Sequence, residues 1–192
     1  MNLQLLTYAE RFYEESGFAH ITVPWLVDRE ISALTKPSDR HDFFVKDQAL
    51  VGSAEQGFLQ MIERGELNPG RYIATTPCFR DEDPIDFWHQ QYFMKTELID
   101  TVNVSTEGLE RVLVDAERFF RLFLPLKRVQ LGADTFDLVS AESGIELGSY
   151  GLRTAEIRGK HLAWVYGTGC AEPRLSKTLA QLKRPLVIPD TL

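Results

Sequence analysis

The sequence has 192 residues, 44% of them hydrophobic and 26% charged, and it carries a formal net charge of −7. That length can bury a sizeable core within one domain, and the composition is that of an ordinary globule rather than a disordered or fibrous chain. The acidic balance excludes a global basic footprint for nucleic acid, and no apolar run reaches the roughly 18 residues of a membrane span.

Two cysteines, Cys78 and Cys170, stand far apart without a CxxC partner, so neither a zinc pattern nor a disulfide framework is expected. The N-terminus carries acids and a helical period in place of a signal peptide's basic start. The expected location is the cytoplasm, with one domain over residues 1–192.

Along the chain, Leu5, Leu6, Ala9, Phe12 and Tyr13 recur at helical spacing and Gly17 closes the segment. "FAHITVPWLV" reads as an extended stretch through Pro24, and "LTKPSDRHD" as a loop. "ALVGSAEQGFLQMIERGEL" is a strand end running into a helix. Ser53 followed by Gln56 has the form of a capping box. "RYIATTPCF" and "QQYFMKTELID" have strand length and pattern, joined by an acidic stretch.

In "STEGLERVLVDAERFFRLFL", Leu109, Val112, Leu113, Ala116, Phe119, Phe120 and Phe123 form one stripe, and Ser105 or Thr106 can cap it. "TFDLVS" and "IELGSYGL" read as a hairpin across "AESG", and "HLAWVYG" as a last strand. "TGCAEPRLSKTLAQLK" reads as a glycine turn into a helix, with Pro173 at its first position. Strands joined by hairpins, with helices between them, predict an α+β fold with an antiparallel sheet. GxGxxG and GxxxxGK[ST] are both absent.

Several stretches could carry chemistry. Arg80 at the mouth of the acidic loop could grip a phosphate through its fork of donors. Glu82 could accept from an exocyclic amine, Phe93 offers a flat face, and His89 adds a donor. Read alone, the same stretch is first an exposed hairpin loop with a surface ion pair of little worth. Arg174 lies just inside a helix after glycines that let a ligand approach, and it is also simply a first-turn arginine. Glu146, on an apolar strand, needs a cation such as magnesium if it faces inward; alternation alone explains it if it faces outward. Glu55 and Glu97 could bind an ammonium, or could be a helix-start acid and a solvent-face glutamate.

In order, these stretches resemble the catalytic core of a class II aminoacyl-tRNA synthetase. "GFAHITVPWLV" is similar to motif 1, with Pro24 as its proline. "CFRDED" followed by "HQQYF" is similar to motif 2, and "GTGCAEPRL" to motif 3, with Arg174 at the arginine position. "GSAEQ" resembles the Thr/Ser-x-Glu loop of the seryl, threonyl and prolyl branch.

The resemblance implies an antiparallel sheet flanked by helices, bound ATP and Mg²⁺, and activation of an amino acid as its adenylate with release of pyrophosphate. By that resemblance Arg80 would bind the α-phosphate, Glu82 read the adenine amino group and Phe93 stack on the ring. His89 and Arg174 would hold the terminal phosphates, Glu146 the magnesium, and Glu55 and Glu97 the amino group, with Ser149 beside the substrate. It also implies a homodimer through the stretch from Phe18 to Val27.

No anticodon-binding domain is expected. Asp81, Glu82, Asp83 and Asp86 disfavour, without excluding, a tRNA partner at the loop that often touches it. "ELGSYGLR" and "HQQYF" also resemble asparagine synthetase A, which amidates aspartate with ammonia; on that reading Arg153 would take a side-chain carboxylate. A catalytically silent regulatory paralogue is the remaining alternative, against which the joint presence of Arg80, Glu82, Phe93, Glu146 and Arg174 argues.

Overall fold

A computed structural model of the chain describes residues 1–189. The chain begins with α1 (Leu3–Glu15), β1 (Ala19–His20), β2 (Leu26–Asp28) and α2 (Arg29–Ala33), then β3 (Phe44–Val45), β4 (Gln48–Leu50) and α3 (Ala54–Arg64). It continues through β5 (Arg71–Phe79), β6 (Tyr92–Asp100), α4 (Thr106–Arg121) and β7 (Leu126–Gly132). The last elements are β8 (Thr135–Ser140), β9 (Glu146–Ile157), β10 (Lys160–Glu172) and α5 (Arg174–Gln181).

Seven strands form the main sheet in the order β1-β5-β6-β10-β9-β8-β7. It is antiparallel except where β1 lies parallel to β5. Strands β2, β4 and β3 make a small separate sheet. This is the expected α+β arrangement of an antiparallel sheet flanked by helices.

Strand alternation gives the sheet two apolar faces. Ile73, Leu98, Leu138, Leu147, Tyr150 and Val165 pack with α1 and with the α4 stripe of Leu109, Val112, Leu113, Ala116, Phe119 and Phe120. Each such fully buried Leu or Phe contributes about 1.5–3 kcal/mol. The Ser105 hydroxyl caps α4 by accepting from Gly108 N at 3.2 Å. On the opposite face Ala74, Ile99, Trp164 and Tyr166 pack with Phe58 and Leu59 of α3 and with Val27 and Ile31. Alongside this second core, polar side chains of β6, β9 and β10 on the same face line a cavity.

Four local expectations change. β7 extends the sheet beyond the predicted hairpin; six of its seven residues are exposed, so "KRVQLG" has no buried face to signal a strand. β10 runs through Gly167 and Gly169 to Glu172 where a turn is expected. A Cβ on Gly167 would meet the Tyr150 ring at 2.7 Å, and one on Gly169 would meet Tyr13 at 2.9 Å, so these glycines admit aromatic neighbours rather than a bend. Pro173 flanks α5, whose first residue is Arg174. The capping box does not form: Ser53 makes no side-chain cap bond. Gln56 Oε1 accepts instead from Gly52 N at 2.7 Å, and Gln56 Nε2 donates to Ser32 O at 3.1 Å. Among the described residues no helix is long and apolar enough to cross a membrane.

Candidate active site

A cavity of about 420 Å³ opens on the second face of the sheet, between the acidic loop and the starts of α3 and α5. Glu55, Arg80, Glu82, Phe93, Glu97, Glu146, Ser149, Arg153 and Arg174 all line it. β5 and β6 place Arg80 and Phe93 near one another, since Cys78 pairs with Phe93 and Phe79 with Tyr92. The Arg80 guanidinium carbon lies 5.0 Å from the centroid of the Phe93 ring, and its Nε donates to Gly52 O at 3.3 Å. Arg174 Nη1 donates to Glu146 O at 3.3 Å. Neither arginine has a carboxylate partner among the described residues, so both charges lie available at the cavity wall.

His89 does not line the main cavity but a smaller one beside it, which shares Arg80, Glu82, Phe93 and Arg174. Its Nδ1 lies 2.9 Å from Asp86 Oδ1, and Asp86 also accepts from the main-chain N–H of Trp88 and His89 at 2.7 Å each. The His89 ring contact, with these amides, holds the Asp86 carboxyl down at about 2. Arg40, from the loop after α2, donates to Asp81 O at 2.7 Å and lies 4.0 Å from Glu82. The acids of the loop are therefore partly engaged by its neighbours: Asp81 and Asp86 both have partners, while Asp83 is exposed.

The opposite end of the cavity is built from buried charges. Glu55 accepts from Arg153 Nη1 at 2.7 and 2.9 Å and from Trp164 Nε1 at 2.7 Å. Arg153 lies over the Tyr166 ring at 4.0 Å; burial works against its charge, but Glu55 outweighs this and its pKa stands above the ordinary value. Lys95 and Glu97 sit two apart on β6 and so share a face. Lys95 Nζ lies 2.5 Å from Glu97 Oε2, an ion contact between two buried groups. Burial pushes the Glu97 carboxyl up; Lys95 opposes that and Glu55 adds to it.

Glu146 is exposed at the rim and its carboxylate has no ion partner among the described residues. Asp137, across from Ser149 on β8, has its Oδ1 buried without a hydrogen-bond partner. Its pKa is raised by burial and then by the Glu146 charge. Two carboxylates in this relation offer hard oxygen ligands suited to Mg²⁺. The described residues hold no group of three or more metal-ligating side chains, so these two carboxylates alone do not make a complete metal site.

No family model matches the chain. It is 32% identical over 149 residues to a serine–tRNA ligase of Thermotoga petrophila, a match covering 68% of this chain and 35% of that protein. A serine–tRNA ligase of Kosmotoga olearia is 27% identical over 220 aligned residues, 92% of this chain and 51% of its own. A crystal structure of seryl-tRNA synthetase from Pyrococcus horikoshii complexed with ATP matches with a TM-score of 0.75 and 21% identity, over 91% of this chain and 49% of that one. The chain has the fold of a class II aminoacyl-tRNA synthetase catalytic core. Desulfitobacterium hafniense PylSc, a pyrrolysyl tRNA synthetase, matches this core with a TM-score of 0.68 and 16% identity over 95% of the chain and 67% of PylSc. The chain spans about a third of the length of the first of these curated relatives.

Within this synthetase-type core, nine of the ten residues singled out in the sequence meet at one cavity, with His89 at the adjoining one. Sequence reasoning missed Lys95, Tyr166, Trp164 and Asp137. Lys95 had a signal, since a lysine and a glutamate two apart on a strand share a face. Trp164 and Tyr166 lie in a stretch that reads only as a last strand; the fold buries both, turning the Trp164 N–H toward Glu55 and the face of the Tyr166 ring toward Arg153.

Proposed function

We propose that the chain binds ATP and an amino acid and joins them as an aminoacyl-adenylate, releasing pyrophosphate. One observation carries this reading. Arg80, whose guanidinium lies 5.0 Å from the Phe93 ring centroid, and Arg174 are cations without carboxylate partners among the described residues, and both line the same cavity as buried Glu55 and Glu97. A triphosphate suits the first set and an ammonium the second.

An oxygen of the substrate carboxylate attacks the α-phosphorus, the bond to the bridging oxygen breaks, and pyrophosphate leaves with that electron pair. No protein nucleophile is required. Arg80 holds the α-phosphate and offsets its developing charge; Phe93 and Glu82 fix the adenine; His89 and Arg174 hold the terminal phosphates. Glu97 and Glu55 receive the ammonium, and Ser149 lies beside the substrate. Catalysis of this kind comes from alignment and preorganised charge. Glu146, with Asp137 near it, would hold Mg²⁺, which when bound screens the phosphate charge. To take the ammonium, Glu97 must share its carboxylate with Lys95, and Glu55 with Arg153.

The acceptor in this reading is ammonia, a carrier protein, a protein side chain or a tRNA acceptor end. A second reading, amidation of aspartate with ammonia, is favoured by Arg153. Its Nε and Nη2 have no hydrogen-bond partner among the described residues, and its side chain lines the cavity. A catalytically silent paralogue that binds an amino acid or nucleotide and regulates a partner enzyme is the reading to be tested against both.

Titration calorimetry with ATP and Mg²⁺ tests the binding step. The wild type is expected to bind, and Arg80→Ala to weaken binding by about ten-fold or more, as loss of a charge-assisted contact requires. No heat from either protein would refute the reading.

A further inference from the structure

The smaller cavity beside the main one contains a cation that the reading above leaves unused. Lys177 lies three residues after Arg174 on α5, a spacing that puts both side chains on one face, and both line this cavity with Arg80 and His89. The Lys177 ammonium donates to Phe87 O on the acidic loop and lies 4.5 Å from the Phe87 ring centroid.

Arg80, Arg174 and Lys177 share one feature. Among the described residues each donates only to a main-chain carbonyl, of Gly52, Glu146 and Phe87 respectively, and none has a carboxylate partner. Nearby carboxylates are engaged elsewhere. Glu172 accepts from Asn2 N, Ser176 N and the Ser176 hydroxyl, and Glu82 lies toward Arg40. Like charges gathered at one cavity repel unless an anion joins them, and an anionic oxygen is a stronger partner for an ammonium than a neutral carbonyl.

We propose that Lys177 is a further ligand for the terminal phosphates of the nucleotide and for the pyrophosphate product, exchanging the Phe87 carbonyl for a phosphate oxygen. The inference rests on the reading that the larger cavity takes ATP. It goes beyond that reading by adding the Lys177 ammonium to Arg174 and His89 around the phosphates beyond the α position.

The test is calorimetry with MgATP and with AMP on wild type, Lys177→Met and Lys177→Arg. Lys177→Met should raise the Kd for MgATP about ten-fold, the effect of losing one charge-assisted contact, and leave the Kd for AMP unchanged. Lys177→Arg, which keeps the charge, should stay near wild type for both. An unchanged MgATP affinity in Lys177→Met overturns the inference while leaving the ATP reading intact. Equal losses for MgATP and AMP also overturn it, because they report a displaced loop. Failure of the wild type to bind either nucleotide overturns the ATP reading and this inference with it.

Discussion

Asp86 shows how a residue at the cavity shapes its neighbour on the loop. Its contact with His89 holds its carboxyl at about 2 against an ordinary 3.8. Because the folded value is the lower one, whatever stability the contact contributes is complete above pH 3.8 and is lost as pH falls through about 2. A carboxyl NMR titration should place the Asp86 midpoint near 2 in the wild type and closer to 3.8 in His89→Ala. A wild-type midpoint near 3.8 would mean that the His89–Asp86 contact does not persist in solution. At this scale the sequence was legible where residue type and chemistry coincide: Arg80, Phe93 and Arg174 were identifiable because the order of the stretches carrying them is specific. It was not legible for Asp137, whose buried oxygen depends on how β8 packs against β9. Nor was it legible for the Glu55–Arg153 pair, which links residues 98 apart in sequence.

The elements divide by whether one face alone determines them. α4 was readable because its buried residues keep a helical period, and β5, β6, β8 and β9 because each joins strand length to several buried positions. The edge strand β7 was not, since pairing with β8 rather than burial makes it a strand. Glycine was the most misleading sign, because the backbone freedom that marks a turn also admits a close neighbour inside a strand. Gly108 makes the same point within a helix. Replacing a helical glycine by alanine ordinarily stabilises by about 1 kcal/mol. Here the added Cβ would lie 1.8 Å from Asn103 O, in a turn fixed by Asp100 and Ser105. Gly108→Ala is therefore expected to destabilise by about 1–3 kcal/mol, the usual cost of overpacking. Thermal or urea denaturation reads the sign directly; a more stable variant would contradict this packing of the α4 start.

For the whole molecule, the motif 1-like stretch from Phe18 to Val27 leads into a small sheet that leaves Trp25, Phe44 and Val45 about half exposed. We expect this stretch to join two copies of the chain, and sedimentation at micromolar concentration should give a dimer; a monomer would refute that part of the account. The acidic loop bears on the acceptor. Arg40 lies 4.0 Å from the Glu82 carboxylate and His89 contacts that of Asp86, yet Asp83 stays exposed and the chain as a whole carries a net −7. We therefore expect a polyanionic tRNA to fit there less well than a neutral or cationic acceptor.

The central claim is amino-acid activation, and amino-acid-dependent exchange of pyrophosphate into ATP tests it most directly. The account predicts exchange that depends on one or a few members of an amino-acid panel and falls by about 10²–10³-fold in Arg80→Ala, the scale of losing one preorganised charge contact in a transition state. No exchange with any standard amino acid, in folded protein that binds ATP, would contradict it.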